Sequence, residues 1–491
     1  MEKKMRKEKD SMGILEVPAD AYYGVQTARA VANFPISGLM PHPDFIRATA
    51  MIKWAAAAAN MACGKLAPEI GKAIQQAAQE IIDGRWHAQF VVDVFQAGAG
   101  TSHNMNANEV IANRAIECLG GTLGDYARVH PNDHVNMSQS TNDVFPTAMR
   151  VASLLMLTPL LAALSRLAAA LVEKSREFNG ILKSGRTHLQ DAVPIRLGQE
   201  FSGYAHAIGR ARDRIAASRT ALCDLGLGGS AVGTGINTHA QYQKKVVAAL
   251  AKCAGFPLVP APSLFERMQS MADFVALSGS LRELAVELIR IANDLRLLSS
   301  GPRTGFAEIT LPPVQPGSSI MPGKVNPVMA EVTNMVAFHV IGNDLAVTLA
   351  AQAGQMELNV MMPVINFNLL QSIHILTHDI ALFTDRCVVG ITADRARCLA
   401  YAEGTVGLAT ILNSAIGYEA AAVLAKESAA TGRSVRTLII EKNLLSADEL
   451  DQLLDPVLIT EPGDTRRPPA HPQPTPKPRT KTAGPRARKP A

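Results

Sequence analysis

Apolar and polar positions alternate with a helical period over most of the chain. Leu277, Leu281, Leu284, Leu288, Ile291, Leu295 and Leu298 recur in alternating steps of four and three. This is an apolar seam held over three heptads, so it predicts a long helix packed against partners at a shallow crossing angle. Arg282, Glu283, Glu287 and Arg290 fall on its other faces. Val151–Phe178, Glu331–Ala351 and Asn366–Phe383 read as further long apolar helices, and the alanines of the first favour both helix formation and close approach. Helices of this kind predict a mainly all-α fold, a long helical bundle closed by this chain or by other copies of it. Strand signals are few, at Met12–Pro18 and Gly305–Leu311. Thr392–Pro456 reads as a smaller helical module, in which Ser446 and Glu449 have the spacing of a capping box.

Composition narrows this picture. The chain has 491 residues, 47% of them hydrophobic, with 48 Lys+Arg against 43 Asp+Glu. That is enough chain to bury a large core. The charge is unevenly placed: Pro462–Ala491 carries a formal +7 and residues 1–461 a formal −2. The basic character therefore belongs to a terminal segment with nine prolines in thirty residues, which is expected to be a disordered tail. Global charge gives no support to nucleic-acid binding. The six cysteines are scattered without a CxxC pair or zinc-type spacing, and buried inert thiols are expected. The amino-terminal MEKKMRKEKD leads into no apolar leader, and Val151–Ser165, the most evenly apolar stretch, is shorter than the roughly 20 residues of a spanning helix. A soluble cytoplasmic protein without a membrane partner is the expectation.

Four polar or glycine-rich segments interrupt the helical pattern: Gln96–Asn108, His130–Thr147, Gly185–Glu200 and Gln315–Pro327. They supply Ser, Thr and Asn side chains, a few histidines and one lysine in a glycine loop, which are hydrogen-bond donors suited to carboxylates. None contains a metal-type cluster, a dinucleotide fingerprint, a Walker loop or a nucleophile elbow. A small anionic ligand bound without metal or cofactor is the chemistry that remains. In Gln315–Pro327, prolines and glycines bracket Ser318, Ser319, Lys324 and Asn326. Such a loop can close over a ligand and exclude water.

Taken together, these segments resemble the fumarase/aspartase superfamily. The strongest match is GSSIMPGKVNPVMAE, Gly317–Glu331, which looks like the superfamily's signature loop. Beside it stand Gly98–Ala115, His134–Ala148, Gly185–Pro194 and Ile291–Arg303, and the likeness spans roughly residues 5–460. Val17–Thr27 and Gly98–Asn106 are closer to the aspartase branch, whereas Gly228–His239 is closer to class II fumarases.

The resemblance implies a central helical bundle with two smaller flanking domains, divided here as 1–140, 141–395 and 396–461, followed by the 462–491 tail. It implies a homotetramer whose sites are shared between chains. It also implies reversible elimination of ammonia from L-aspartate to give fumarate, without a cofactor. In that reading Ser318 is the base that removes the Cβ proton. Thr187, His188, Lys324 and Asn326 bind substrate carboxylates, and Ser319 supports the intermediate. Thr101, Ser140, Thr141 and Asn142 contact the amino group and the other carboxylate. Asp143 and Glu200 orient neighbours or cap helices, and His103, Asp133, His134 and His206 are structural. The alternatives are a class II fumarase, a lyase acting on a succinyl adduct, and a non-catalytic scaffold with a basic binding tail.

Overall fold

The computed structural model of the chain describes residues 4–463, so the expected tail lies outside the described residues from 464 onward. It divides into two compact units. The first comprises residues up to Lys174 together with Phe201–Thr392; the second joins Ser175–Glu200 to the residues from Ala393 onward.

The first unit begins with an antiparallel ribbon, β1 (Met5–Asp10) against β2 (Gly13–Pro18). The strand signal near Met12–Pro18 was legible, but its partner is the charged run MRKEKD. Arg6 explains why that run is ordered. Its guanidinium pairs with Glu8 and donates to the carbonyls of Pro18, Ala21 and Tyr23, clamping the chain that leaves β2. Helices α1 (Val25–Asn33), α2 (Pro43–Ala62), α3 (Pro68–Ile82) and α4 (Thr101–Cys118) follow. The apolar faces of α2, α3 and α4 meet in one core that includes Ile46, Ile74, Ile81, Val110 and Ile116. Glu109 of α4, buried among them, accepts from the backbone of Gly24, Gln26 and Thr27 and from the Thr27 hydroxyl. This carboxylate satisfies the free amides at the start of α1.

The bundle is longer than its apolar pattern. Helix α5 runs from Thr141 to Glu177, ten residues earlier than the apolar segment begins, and continues across Pro146 and Pro159. Helix α6 (Leu197–Leu222), α7 (Tyr242–Ala254) and the short α8 (Leu264–Gln269) precede α9 (Ala272–Leu298). Helix α9 carries the heptad seam, and all seven of its seam residues are at most 5% exposed. It packs on α10 (Val328–Gln352), which packs in turn on α11 (Met362–Arg386). Of Gly305–Leu311 only Ile309–Thr310 is extended as a strand.

The second unit contains a hairpin the sequence reading missed, β3 (Leu182–Thr187) against β4 (Gln190–Arg196). It packs with α12 (Arg395–Gly404) and α13 (Leu408–Ile416). Helices α14 (Tyr418–Thr431), α15 (Val435–Glu441) and α16 (Ala447–Leu453) complete a small core around Leu412, Leu424, Leu438 and Leu450. The capping box expected at Ser446 and Glu449 is present in both directions. All six cysteines are unpaired; Cys223, Cys387 and Cys398 are buried and the other three half-buried.

The α9 seam gives a direct test. Leu284→Ala removes a fully buried side chain, so it is expected to destabilise the protein by about 2–5 kcal/mol. A thermal or urea unfolding midpoint equal to that of the parent protein would contradict the packing described.

Candidate active site

The side chains singled out by sequence fall into three local constellations. The first lies at the starts of α4 and α5. Gly98, Ala99 and Gly100 all have left-handed backbone conformations, with φ of 83°, 57° and 90°. A side chain at position 100 would collide with the Phe145 ring, so glycine is required there on two counts. This turn delivers Thr101, whose hydroxyl donates to the Gly98 carbonyl at 2.7 Å, at the exposed first position of α4. Ser140 caps α5: its hydroxyl accepts from the Asn142 amide, and its own amide donates to Asp143 at 2.9 Å. Thr141 accepts from the Asn104 amide group, and Asn142 donates to the Ala231 carbonyl. Asn104 thereby ties the helix that carries Thr101 to the Ser140–Asn142 segment.

Two buried charges lie behind this constellation. Asp143, fully buried, orients its surroundings as expected from sequence, accepting from the amides of Ser140, Gly228 and Ser230. Burial raises its carboxyl to about 6, although those three amides and Lys53 act in the opposite direction. Lys53 was not anticipated. It is fully buried, and its ammonium donates to Asn104, Asn136 and Gln139 at 2.8, 2.9 and 3.0 Å. Burial lowers it to about 7, with Asp143 acting to raise it. The available signal was a single cation inside the alanine-rich MIKWAAAAAN of α2.

The second constellation is the tip of the β3–β4 hairpin. Thr187 pairs with Gln190, which leaves His188 and Leu189 as a two-residue loop. Both have positive φ, 55° and 58°, as a tight hairpin turn requires, but neither is Gly or Asn. Backbone strain of this kind is tolerated where the surroundings over-determine it, and it clusters at functional sites. Thr187 and His188 are exposed at this tip. At the base of the hairpin, buried Lys183 pairs with Glu200 at 3.0 Å.

The third constellation is the Gln315–Pro327 loop. Asn326 donates from its amide group to the Gly317 carbonyl at 2.6 Å, closing the loop at its neck. Gly317 lies so close to the Lys324 carbonyl that no side chain fits there. Ser318 follows at once. Its oxygen accepts from the amides of Met321 at 3.0 Å and Ile320 at 3.3 Å. Ser319 and Lys324 are exposed along the same loop.

The histidines set aside by sequence have structural partners. His103 is buried, bonded to Thr49 and stacked on Phe45. His134 accepts from the His130 amide, Asp133 lies 3.3 Å from His130, and His206 bonds the Ser202 carbonyl. Among the described residues, no group of three or more His, Cys, Asp or Glu is placed to hold a metal ion.

This architecture has relatives. A lyase family model matches residues 13–342, and a fumarase C C-terminus model matches residues 408–461. The chain belongs to the fumarase/aspartase superfamily of lyases. Aspartate ammonia-lyase of Bacillus subtilis (strain 168) is 52% identical over 462 residues, covering 94% of this chain and 97% of that protein. Aspartate ammonia-lyase of Escherichia coli (strain K12) is 46% identical, covering 92% and 95%. The crystal structure of fumarate lyase:delta crystallin from Brucella melitensis bound to cobalt superposes with a TM-score of 0.91 at 50% identity, covering 94% of this chain and 100% of that one. Recombinant class II fumarase from Schistosoma mansoni superposes at 0.88 with 36% identity, covering 92% and 98%.

The buried lysine makes stability depend on pH. Between its folded value of about 7 and the ordinary value of 10.5, the unfolded chain binds the extra proton, so Lys53 makes stability rise with pH. Lys53→Met is expected to flatten that rise. Urea midpoints measured across this range in both proteins check it, and parallel profiles would refute it.

Proposed function

We propose that the protein catalyses the reversible elimination of ammonia from L-aspartate, giving fumarate. The observation that carries the mechanism is the Ser318 oxygen beneath the Ile320 and Met321 amides. A serine hydroxyl is a weak base, and its alkoxide is useful only if donors stabilise it. Two backbone amides aimed at that oxygen supply such donors, and Lys324, exposed on the same loop, carries a positive charge.

The reaction then follows in two steps. The Ser318 alkoxide takes the Cβ proton, and the electron pair of the C–H bond moves into the adjacent carboxylate, which becomes a doubly negative aci-carboxylate. That pair returns to form the Cα–Cβ double bond as the C–N bond breaks and ammonia leaves with its own pair. The site must hold the charge that develops on one carboxylate, so preorganised donors provide most of the stabilisation. Thr187, His188, Lys324 and Asn326 take that role, with Ser319 supporting the intermediate. Thr101, Ser140, Thr141 and Asn142 hold the amino end and the second carboxylate. The relatives named aspartate ammonia-lyase, about half identical across more than nine-tenths of the chain, support aspartate as the substrate.

The working form is a homotetramer whose sites draw these constellations from different copies. Met335, Phe338, Leu345 and Leu349 support this: they follow a helical stripe on α10 and are each more than half exposed. By length and composition, α5 and α10 are also apolar enough to cross a bilayer. In the tetramer reading, other copies cover that apolar surface instead, which suits a soluble cytoplasmic enzyme.

Three outcomes are expected. Fumarate absorbance appears with L-aspartate and not with malate; the reverse would make the protein a fumarase. Ser318→Ala lowers kcat by about 10²–10⁴-fold while a dicarboxylate analogue still binds, and retained turnover would remove Ser318 as the base. Ser318→Ala and His188→Ala chains, each inactive alone, regain part of the activity when refolded together. Failure of the mixed, correctly sized oligomer to do so would exclude shared sites.

A further inference from the structure

A cavity of about 130 Å³ lies in the first unit, between the start of α2, the chain before α4 and one face of α11. Its walls are mainly apolar, with Phe45, Val94, Phe145, Phe367 and Leu370 among them. Its volume is close to that of engineered apolar cavities that accept a benzene ring. This cavity, however, has two polar residues in its lining whose bonding is incomplete. His103 and Asn366 are 2% and 8% exposed, and His103 Nδ1 and Asn366 Oδ1 have no hydrogen-bond partner.

The chemistry of His103 follows from its neighbours. Thr49 Oγ1 gives its only hydrogen to the Phe45 carbonyl at 2.9 Å. The 3.0 Å contact between Thr49 Oγ1 and His103 Nε2 therefore needs the hydrogen on the histidine. Burial holds the ring neutral, so Nδ1 is a bare acceptor. Asn366 Oδ1 is a second acceptor. Two buried acceptors left unpaired cost stability, and a ligand carrying a donor offsets that cost.

We propose that this cavity is a binding site for a small uncharged aromatic molecule bearing one hydroxyl or amino donor, seated between His103 and Asn366. The ring stacks among Phe45, Phe145 and Phe367. The donor hydrogen is matched to an unpaired acceptor on one of these two lining residues, reached by a small turn of its side chain. The site lies behind the Gly98–Thr101 turn and is separate from the residues assigned to aspartate. Two of its walls support that turn: Phe145 lies against Gly100, and Gln96 accepts from the His103 amide at 2.8 Å. An occupant would thus press on the two contacts that hold the turn. The inference rests on the cavity and its two acceptors and does not depend on the reaction catalysed.

The test uses 4-fluorophenol and its donor-free counterpart 4-fluorotoluene, titrated into the full-length protein and followed by fluorine NMR. The phenol is expected to bind at least about tenfold more tightly, the factor one well-made buried hydrogen bond supplies. Asn366→Leu and His103→Phe are expected to reduce that preference while circular dichroism and oligomer size stay unchanged. Equal affinities in the parent protein, or no binding of either probe, would overturn the proposal. A preference that survives intact in both folded variants would do the same. The parent-protein comparison stands even if a variant fails to fold.

Discussion

An ammonium group in an apolar interior must have all its hydrogens accepted, and Lys53 meets that demand with three amide oxygens. The three acceptors come from α4 and from the chain just before α5, so satisfying one cation fixes three pieces of backbone together. Asn104 then passes the constraint on to Thr141. Asp143 works from the other side, drawing the Gly228–Ser230 loop onto the start of α5. The Ser140–Asn142 segment is held between these two charges. Removing either would leave the other with less compensation, so the pair restricts where that segment can lie.

The Ser318 loop is built on a different principle. Its neck is a single amide-to-carbonyl bond between Asn326 and Gly317, where the Lys324 carbonyl leaves no room for a side chain on residue 317. Beyond the neck the loop is exposed. Precision is thus confined to a few atoms around Ser318, while the rest is free to meet whatever covers it. That division holds one oxygen firmly and leaves the surrounding loop adaptable.

Much of this was legible in the sequence, for reasons that differ between elements. The α9 seam is a strict repeat, and a strict repeat buried on one side has one structural reading. The box at Ser446 is local chemistry and was read correctly for that reason. The β1 strand was missed because MRKEKD is charged on both faces, and its order comes from Arg6 reaching carbonyls up to seventeen residues away. The β3–β4 hairpin was missed because its turn is His-Leu, without the Asn-Gly signal that marks tight hairpins. The site segments stood out as polar interruptions, and the resemblance assigned their roles. The amides over Ser318 and the network around Lys53 are properties of backbone direction and of distant partners, which no linear pattern displays.

The strained tip at His188–Leu189 belongs to a hairpin anchored far along the chain. Thr405 donates from its hydroxyl to the Ala192 carbonyl at 3.0 Å, and Gly407 lies against that same carbonyl with no room for a side chain. The aim of an imidazole is therefore set partly by a threonine and a glycine more than two hundred positions downstream. The small C-terminal helices act as the mounting for that turn, and evolutionary drift among them would re-aim the His188 imidazole without altering one of its neighbours in sequence.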